Sequence, residues 1–489
     1  MTEKQKIYAF YAIAALFIIT NSLVIITKES FLFNFVPLLL IVFFALFFAM
    51  DKVLMFSVFL VPLSVPLQEF YPNLDFNIDL PTEPIFVGVM LLFLLKQIYD
   101  RNFDRKILKH PVSIAIFVYL TWGLITVLTS TMPLISLKYW IASLWFIVPF
   151  YFILTQVFRN KVNINRFFWL YIIPFVIVIA ITLIKHAPHY FSQQTANYIM
   201  SPFYNDHTSY GAMLAMFIPV LVGFILNKEL KGSLRVIAGG ILAFFIVGLL
   251  LSYTRAAWVS LVGALAVFVI LKFKINYKIV VVTGLIVAVG FFGFQDKIFV
   301  SLEGNKQDSS TDLKEHIKSI SNVATDASNL ERINRWNCAI RMFEEKPVFG
   351  WGPGTYQFQY APFQFSREKT IISTNAGDLG NAHSEYLGAL AETGLVGMLS
   401  FIAVLIFIFV TAVKNYMRAN TYSLKLITAS TICGLTTYFL HGFLNNFLDI
   451  DKVAVPFWGF AAIIVAIDVY YLKNDDDDNS QTENISEKE

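Results

Sequence analysis

Apolar runs long enough to cross a bilayer recur along nearly the whole chain, and they decide what it can fold into. AFYAIAALFIITNSLVIIT (residues 9–27), WLYIIPFVIVIAITLI (169–184) and SFIAVLIFIFVTAV (400–413) are representative. About 20 helical residues traverse ~30 Å of hydrocarbon. Inside that layer the backbone must satisfy its own hydrogen bonds, and continuous rather than alternating apolar runs select helices. Of 489 residues, 57% are apolar and 15% charged, so isolated core helices of a soluble domain do not account for the repetition.

The runs place spans near 8–27, 31–50, 53–67, 84–98, 111–129, 134–156, 167–184, 207–226, 236–252, 256–271, 277–294, 390–413, 425–444 and 453–471. The expected fold is an all-α polytopic membrane protein of about 12–14 transmembrane helices with one large external loop containing amphipathic helices. The first run follows Lys4 and Lys6 as a signal sequence does. No clear small-residue cleavage site ends it, and it reads as a retained first helix.

Lysine and arginine orient the bundle. With the N-terminus inside, the cytoplasmic segments hold most of them, including Arg101, Arg105, Lys106 and Lys109 in one connector and Arg159, Lys161 and Arg166 in another. The opposite side, its long loop apart, holds Lys28, Lys138, Lys185, Arg255 and Lys452. Both termini are therefore expected in the cytoplasm, and the organisation divides into helices over 1–294, an external loop over 295–389, helices over 390–471 and a tail over 472–489. That tail, DDDDNSQTENISEKE at its end, is acidic and polar and is expected to be disordered.

The first part of the loop is polar. Its second part is patterned: Ser328 and Glu331 suit a capping box, and Leu330, Ile333, Trp336, Ile340 and Phe343 recur at helical spacing until Pro347. An amphipathic helix follows, its apolar side on the bundle or at the lipid boundary. Arg332 and Arg335 are neighbours on it. FGWGPGTY (349–356) then makes a tight glycine turn, and NAHSEYLGALAETGLVG (381–397) leads into the next span.

This topology brings Arg255, in LSYTRAAW, to the outer surface together with Arg332, Arg335 and His383. Singly, each has an ordinary explanation: snorkelling arginines, a solvated helix face, a hydrogen-bonded loop histidine, and Trp336 as an interfacial anchor. Together, two or more guanidiniums make a bidentate clamp for a lipid diphosphate, and a histidine with a near-neutral pKa can take a proton from a hydroxyl nucleophile. Glu385 reads as an orienter of His383 or of a sugar hydroxyl. Glu392 reads as a cap on a neighbouring loop, a partner for another helix, or part of the site. Asp206 and His207, where an external loop enters a span, read as a helix cap or as substrate contacts. Asp449 and Asp451 read as a solvated acidic connector. Cys338 and Cys433 suggest neither a disulfide nor a thiolate metal site, and with no HExxH, CxxC pair, DxD or Walker pattern no metal or cofactor is expected. The basic residues lie in short segments between spans rather than in a groove, which argues against nucleic acid as a partner.

At these residues the chain resembles the O-antigen ligase and polymerase superfamily of bacterial envelope enzymes, most strongly over roughly 250–400. LSYTRAAW resembles the family's arginine at the outer end of a span. RINRWNCAIRMFEEKPVFGWGPGTY resembles its loop signature of arginine, tryptophan four positions later, amphipathic helix, proline and glycine turn. NAHSEYLGALAETGLVG resembles its histidine segment. The resemblance implies a metal-independent, inverting glycosyl transfer on the extracytoplasmic face of the bacterial inner membrane, from an undecaprenyl-diphosphate-linked glycan. Arg255 and Arg332 would contact the diphosphate, and His383 would be the acceptor's base. Where the family carries asparagine after its histidine, this chain has Ser384. The acceptor stays open among lipid A-core, a second lipid-linked glycan and a protein hydroxyl, with a flippase or chain-length regulator as possible partners. A lipid-linked oligosaccharide transporter is the competing class. It would need ionisable residues or broken helices near the midplane.

Overall fold

The computed structural model describes residues 2–28, 32–72, 78–100, 103–275, 327–370, 373–374 and 380–472. The expected span at 277–294, the first part of the loop up to residue 326 and the tail from 473 lie outside the described residues. What is described is almost wholly helical, and ten helices are long and apolar enough to cross a membrane. The predicted spans coincide within a few residues with Glu3–Lys28, Thr82–Asp100, Pro111–Leu128, Pro133–Val157, Lys161–His186, His207–Leu226, Gly232–Leu251, Arg255–Phe273, Glu385–Arg418 and Asp451–Tyr470. The spans expected at 31–50 and 53–67 fall on one interrupted element, Val36–Leu60, whose helix is broken at Ala49 (φ −139°, ψ 39°).

Tyr422–His441, where a span was also expected, is rich in serine and threonine because it is buried among other helices. Thr428, Thr431 and Thr436 each donate to the carbonyl one turn earlier, at 2.9, 2.7 and 2.8 Å, so their hydroxyls are satisfied within the helix. It packs on His207–Leu226 and Arg255–Phe273. A Cβ at Gly434 would lie 2.6 Å from the Met216 carbonyl, and one at Gly223 would lie 2.0 Å from Ser430 Oγ. Small residues let helix backbones approach where lipid supplies no hydrophobic drive.

One end of the bundle carries the functional geometry. Thr131, in the short turn after Pro111–Leu128, donates its amide to the Trp351 carbonyl at 3.1 Å, which joins that turn to the glycine-rich segment of the loop. Nearby, a two-residue antiparallel pair (Val65–Pro66 with Asp79–Leu80) is locked to the start of Asp451–Tyr470. Lys452 Nζ contacts Asp79 Oδ2 at 3.0 Å and Asp451 Oδ1 at 2.9 Å, while Ser64 and Thr82 donate to Asp451 Oδ2, both at 2.6 Å. Asp451 is fully buried here. It is an ion-pair partner inside the protein and not the solvated connector residue expected from its position.

Candidate functional site

Ala327–Glu345, the surface helix, carries two faces. Cys338, Ala339 and Met342 enter a small core with Tyr356, Tyr360, Ala382 and Ala391. The stripe at one-turn spacing, Arg332, Trp336 and Ile340, points elsewhere: Trp336 lines an apolar groove and Ile340 is exposed. The predicted apolar stripe is therefore the outward one, and the loop's own core is built on its neighbour. Glu331, expected to close a capping box with Ser328, instead accepts hydrogen bonds from Arg335, Thr370 and Ser373.

Arg335 is buried in that subdomain. Its Nε donates to Glu331 at 2.7 Å, an Nη donates to Thr374 at 2.6 Å, and its guanidinium lies 3.9 Å from the centre of the Tyr360 ring. The ion pair and the ring hold its charge within the loop. Arg332, one turn closer to the bundle, donates Nε to the Leu444 carbonyl at 3.2 Å. Trp336 Nε1 donates to the His383 carbonyl at 3.2 Å. Two residues a turn apart on one helix thus hold both the strap Asn381–Ser384 and the outer connector 442–450.

His383 sits at φ +47°, a left-handed conformation unusual for a side-chain-bearing residue. Asn381 Oδ1 accepts its amide at 3.1 Å, and Ser384 Oγ accepts the Leu387 amide at 3.3 Å, capping the helix that follows. Strain kept by such surrounding bonds is a recurrent property of functional loops. Burial, then the charges of Arg332 and Arg335, hold the imidazole pKa down to about 4, so at neutral pH it is an uncharged base.

Arg255 begins its helix opposite. Thr254 Oγ1 donates to the His207 carbonyl at 2.7 Å, and a Cβ on Gly211 would lie 2.5 Å from that oxygen, so the two helix starts cross at contact distance. Asp206 caps His207–Leu226: its Oδ1 accepts the amides of Thr208 and Ser209, both at 2.8 Å. The cap leaves its charge facing the site, where it offsets Arg332 while Arg255 opposes it. Arg332 is lowered to about 10 by burial and by Arg255, and is still cationic at neutral pH. His383, His207 and Arg255 all lie within electrostatic reach of Arg332. Two guanidiniums and one carboxylate thus lie within electrostatic reach of one another at this end of the bundle.

Glu385 and Glu392 are placed by backbone amides. Glu385 Oε1 accepts from Tyr438 at 2.5 Å and from the amides of Phe447 and Leu448 at 2.8 and 2.9 Å, so it shapes the connector that carries Leu444. Its carboxylate is therefore directed at the connector and not at the His383 ring. Glu392 accepts the amides of Gly354 and Tyr356, both at 2.9 Å, the loop-capping role among those its position allowed. There Glu385–Arg418 is broken at Gly394 (φ 69°, ψ −171°), and the glycine turn fits into the break: Gly352 donates to the Glu392 carbonyl at 2.8 Å and Leu395 to the Pro347 carbonyl at 3.0 Å.

His441 and its neighbour Asn445 escaped the sequence reading. His441, 1% exposed, lies within electrostatic reach of Arg332, Asp206 and His207, and its Nε2 is 3.0 Å from the side-chain nitrogen of Asn445. HGFLNNFLD at the outer end of a span was the available signal; it lacks a spacing that distinguishes it from an ordinary connector.

Two openings meet at the strap. An apolar groove of about 580 Å³ starts at Trp336 and Ser384 and runs along Glu385–Arg418 to Phe409 and Val410, walled by Phe439 and Phe443. A second cavity, about 140 Å³, is lined by Tyr119, Tyr139, Trp140, Asn381, Ser384, Glu385, Glu392 and Asp449. No group of three or more metal-ligating side chains occurs among the described residues.

These features define a polytopic helical membrane protein with two arginines and a neutral histidine gathered at one end of the bundle. Residues 240–402, a third of the chain, match the family model described as O-antigen ligase. The match includes Arg255, Arg332, Arg335, Trp336, His383, Ser384, Glu385 and Glu392, and excludes Asp206, His207 and His441. An uncharacterized protein of Haemophilus influenzae is 26% identical over 216 residues, 43% of this chain and 51% of that protein. The chain thus spans about half the length of the curated relative it matches.

Proposed function

We propose that this protein is a metal-independent inverting glycosyltransferase of the O-antigen ligase and polymerase type. It moves a glycan from an undecaprenyl-diphosphate-linked donor to an acceptor hydroxyl on the extracytoplasmic face. The observation that carries the reading is the convergence of Arg255, Arg332 and the neutral His383 from three separate elements at one end of the bundle. The matched family, whose model covers the same three residues, supports the general class.

In this reading the two arginines receive the diphosphate, and the apolar groove beginning at Trp336 receives the prenyl chain. His383 accepts the proton as the acceptor oxygen attacks the anomeric carbon. The carbon–oxygen bond to the diphosphate breaks as the new glycosidic bond forms, inverting that centre. Electron density accumulating on the departing diphosphate is stabilised by guanidiniums already in place. The activated donor supplies the driving force, so no nucleotide is consumed.

Purified protein given a lipid-diphosphate glycan and candidate acceptors tests the reading by product mass. His383→Ala is expected to lower transfer by ~10²–10⁴-fold while retaining donor binding. Arg332→Ala is expected to weaken donor capture instead. Glycan movement across vesicles without bond formation would favour a transporter, and a ladder of products separates polymerase from ligase.

A further inference from the structure

We propose that the cavity of about 140 Å³ beside the Asn381–Ser384 strap is the sugar subsite of the acceptor, holding one neutral, hydroxyl-rich ring with a free hydroxyl turned to His383. The inference rests on the glycan-transfer reading and specifies which wall of the site admits the acceptor.

Charge divides the two sides of the strap. The side facing Arg332 and Arg255 is cationic, whereas the cavity is lined by no lysine, arginine or histidine and by Glu385, Glu392 and Asp449. Such a lining offers phosphate no counter-charge and suits hydroxyls. Its hydrogen-bonding capacity is also unspent. Asn446 Oδ1, in the lining, is buried without a hydrogen-bond partner among the described residues, and Tyr119 and Tyr139 line the same cavity. Polar groups left unpaired in a lined cavity call for a partner there.

The walls are rigid and aromatic. Trp140 Nε1 donates to the Leu120 carbonyl at 2.9 Å, which fixes its ring. Gly354 closes over Tyr139 so tightly that a Cβ would lie 2.9 Å from the ring. Fixed aromatic faces beside hydroxyl, amide and carboxylate groups present both surfaces of a sugar, its apolar C–H face and its hydroxyl edge. Ser384 lines this cavity and the apolar groove alike, so the two openings meet beside His383.

The test uses thiol protection on the full chain in detergent, since Cys338 and Cys433 are buried. Ser143→Cys and, on the opposite wall, Gln357→Cys place a reporter in the lining. Maleimide labelling is timed with methyl glycosides of glucose, galactose and N-acetylglucosamine, with inorganic diphosphate, and with farnesyl diphosphate as a sugarless donor mimic. At least one glycoside is expected to slow labelling several-fold, with or without farnesyl diphosphate, while inorganic diphosphate has no effect. Tyr139→Phe should raise the glycoside concentration required about fivefold, the equivalent of one hydrogen bond. Protection by diphosphate, absence of protection by every glycoside at both positions, or loss of glycoside protection once farnesyl diphosphate is bound would each overturn the assignment, the last by giving the cavity to the donor. Arg332-dependent retention of farnesyl diphosphate checks the transfer reading separately, so either can fail alone.

Discussion

In the proposed transfer His383 serves as a base only while it stays uncharged beside two arginines, and burial together with those arginines keeps it so. Its pKa of about 4 lies below the ordinary 6.5 because burial and the charges of Arg332 and Arg335 oppose protonation. The unfolded chain therefore takes up this proton first. The contribution of this group to stability falls as pH drops from about 6.5 to 4 and is constant above. For transfer, the base form persists through the whole neutral range. Arg332→Gln removes one of the depressing charges, so the acid limb of kcat/KM against pH should move upward while overall affinity for donor falls. A limb that stays in place or moves down would show that another group titrates. At this scale the sequence was informative where spacing narrowed the choice. The resemblance preferred Arg332 over Arg335 for its tryptophan four positions later; in the structure Arg332 reaches the Leu444 carbonyl, whereas Arg335 is enclosed by Glu331 and Tyr360. His441 and the Leu444 carbonyl had no such spacing, because a backbone oxygen has no sequence signature and a histidine at a helix end is common.

Among the elements, the broken helix Glu385–Arg418 decides the shape of the site. Its apolar run announced a span, but periodicity does not register a break that a loop must fill. Gly394 has φ +69°, and a Cβ there would lie 2.1 Å from the Val348 carbonyl. Gly394→Ala is therefore expected to cost about 2 kcal/mol or more and to lower the melting temperature in detergent. Gly239→Ala, at an ordinary helical position with nothing within 4 Å, is the control and should be neutral or slightly stabilising. Equal losses in the two variants would mean that the break is not a fixed feature. The surface helix shows the converse limit of sequence reading. Its apolar stripe was visible, but Cys338 and Ala339 were not apolar signals strong enough to reveal that a second face would form the loop's own core.

At the scale of the whole molecule, the end of the bundle that carries the site is held by charges drawn from far apart in the sequence. Lys452 bridges Asp79 and Asp451 in a buried setting. Lys452→Met would leave two carboxylates without their counter-charge, a change expected to cost about 3–5 kcal/mol, measured as lost thermal stability in detergent. Adding Asp79→Asn and Asp451→Asn to it should recover much of that loss. If the triple variant is no better than the single one, packing rather than charge holds the hairpin. The link to Asp79 could not be read from sequence, since it stands 373 residues from Lys452.

Orientation is the property on which the chemistry at this end depends. The lysine and arginine bias predicts it, and because Thr131, Trp351, Arg332 and His383 are joined at one end, a single reporter placed there tests it. Thr131 is exposed there, and Lys231 is exposed in the connector between His207–Leu226 and Gly232–Leu251. In intact cells, Thr131→Cys should react with a membrane-impermeant maleimide, whereas Lys231→Cys should react only after the membrane is opened. The two native thiols are buried and contribute little background. The reverse pattern would put His383 in the cytoplasm, where a donor glycan displayed on the outer leaflet could not reach it, and the assignment of the arginines to that donor would fall with it.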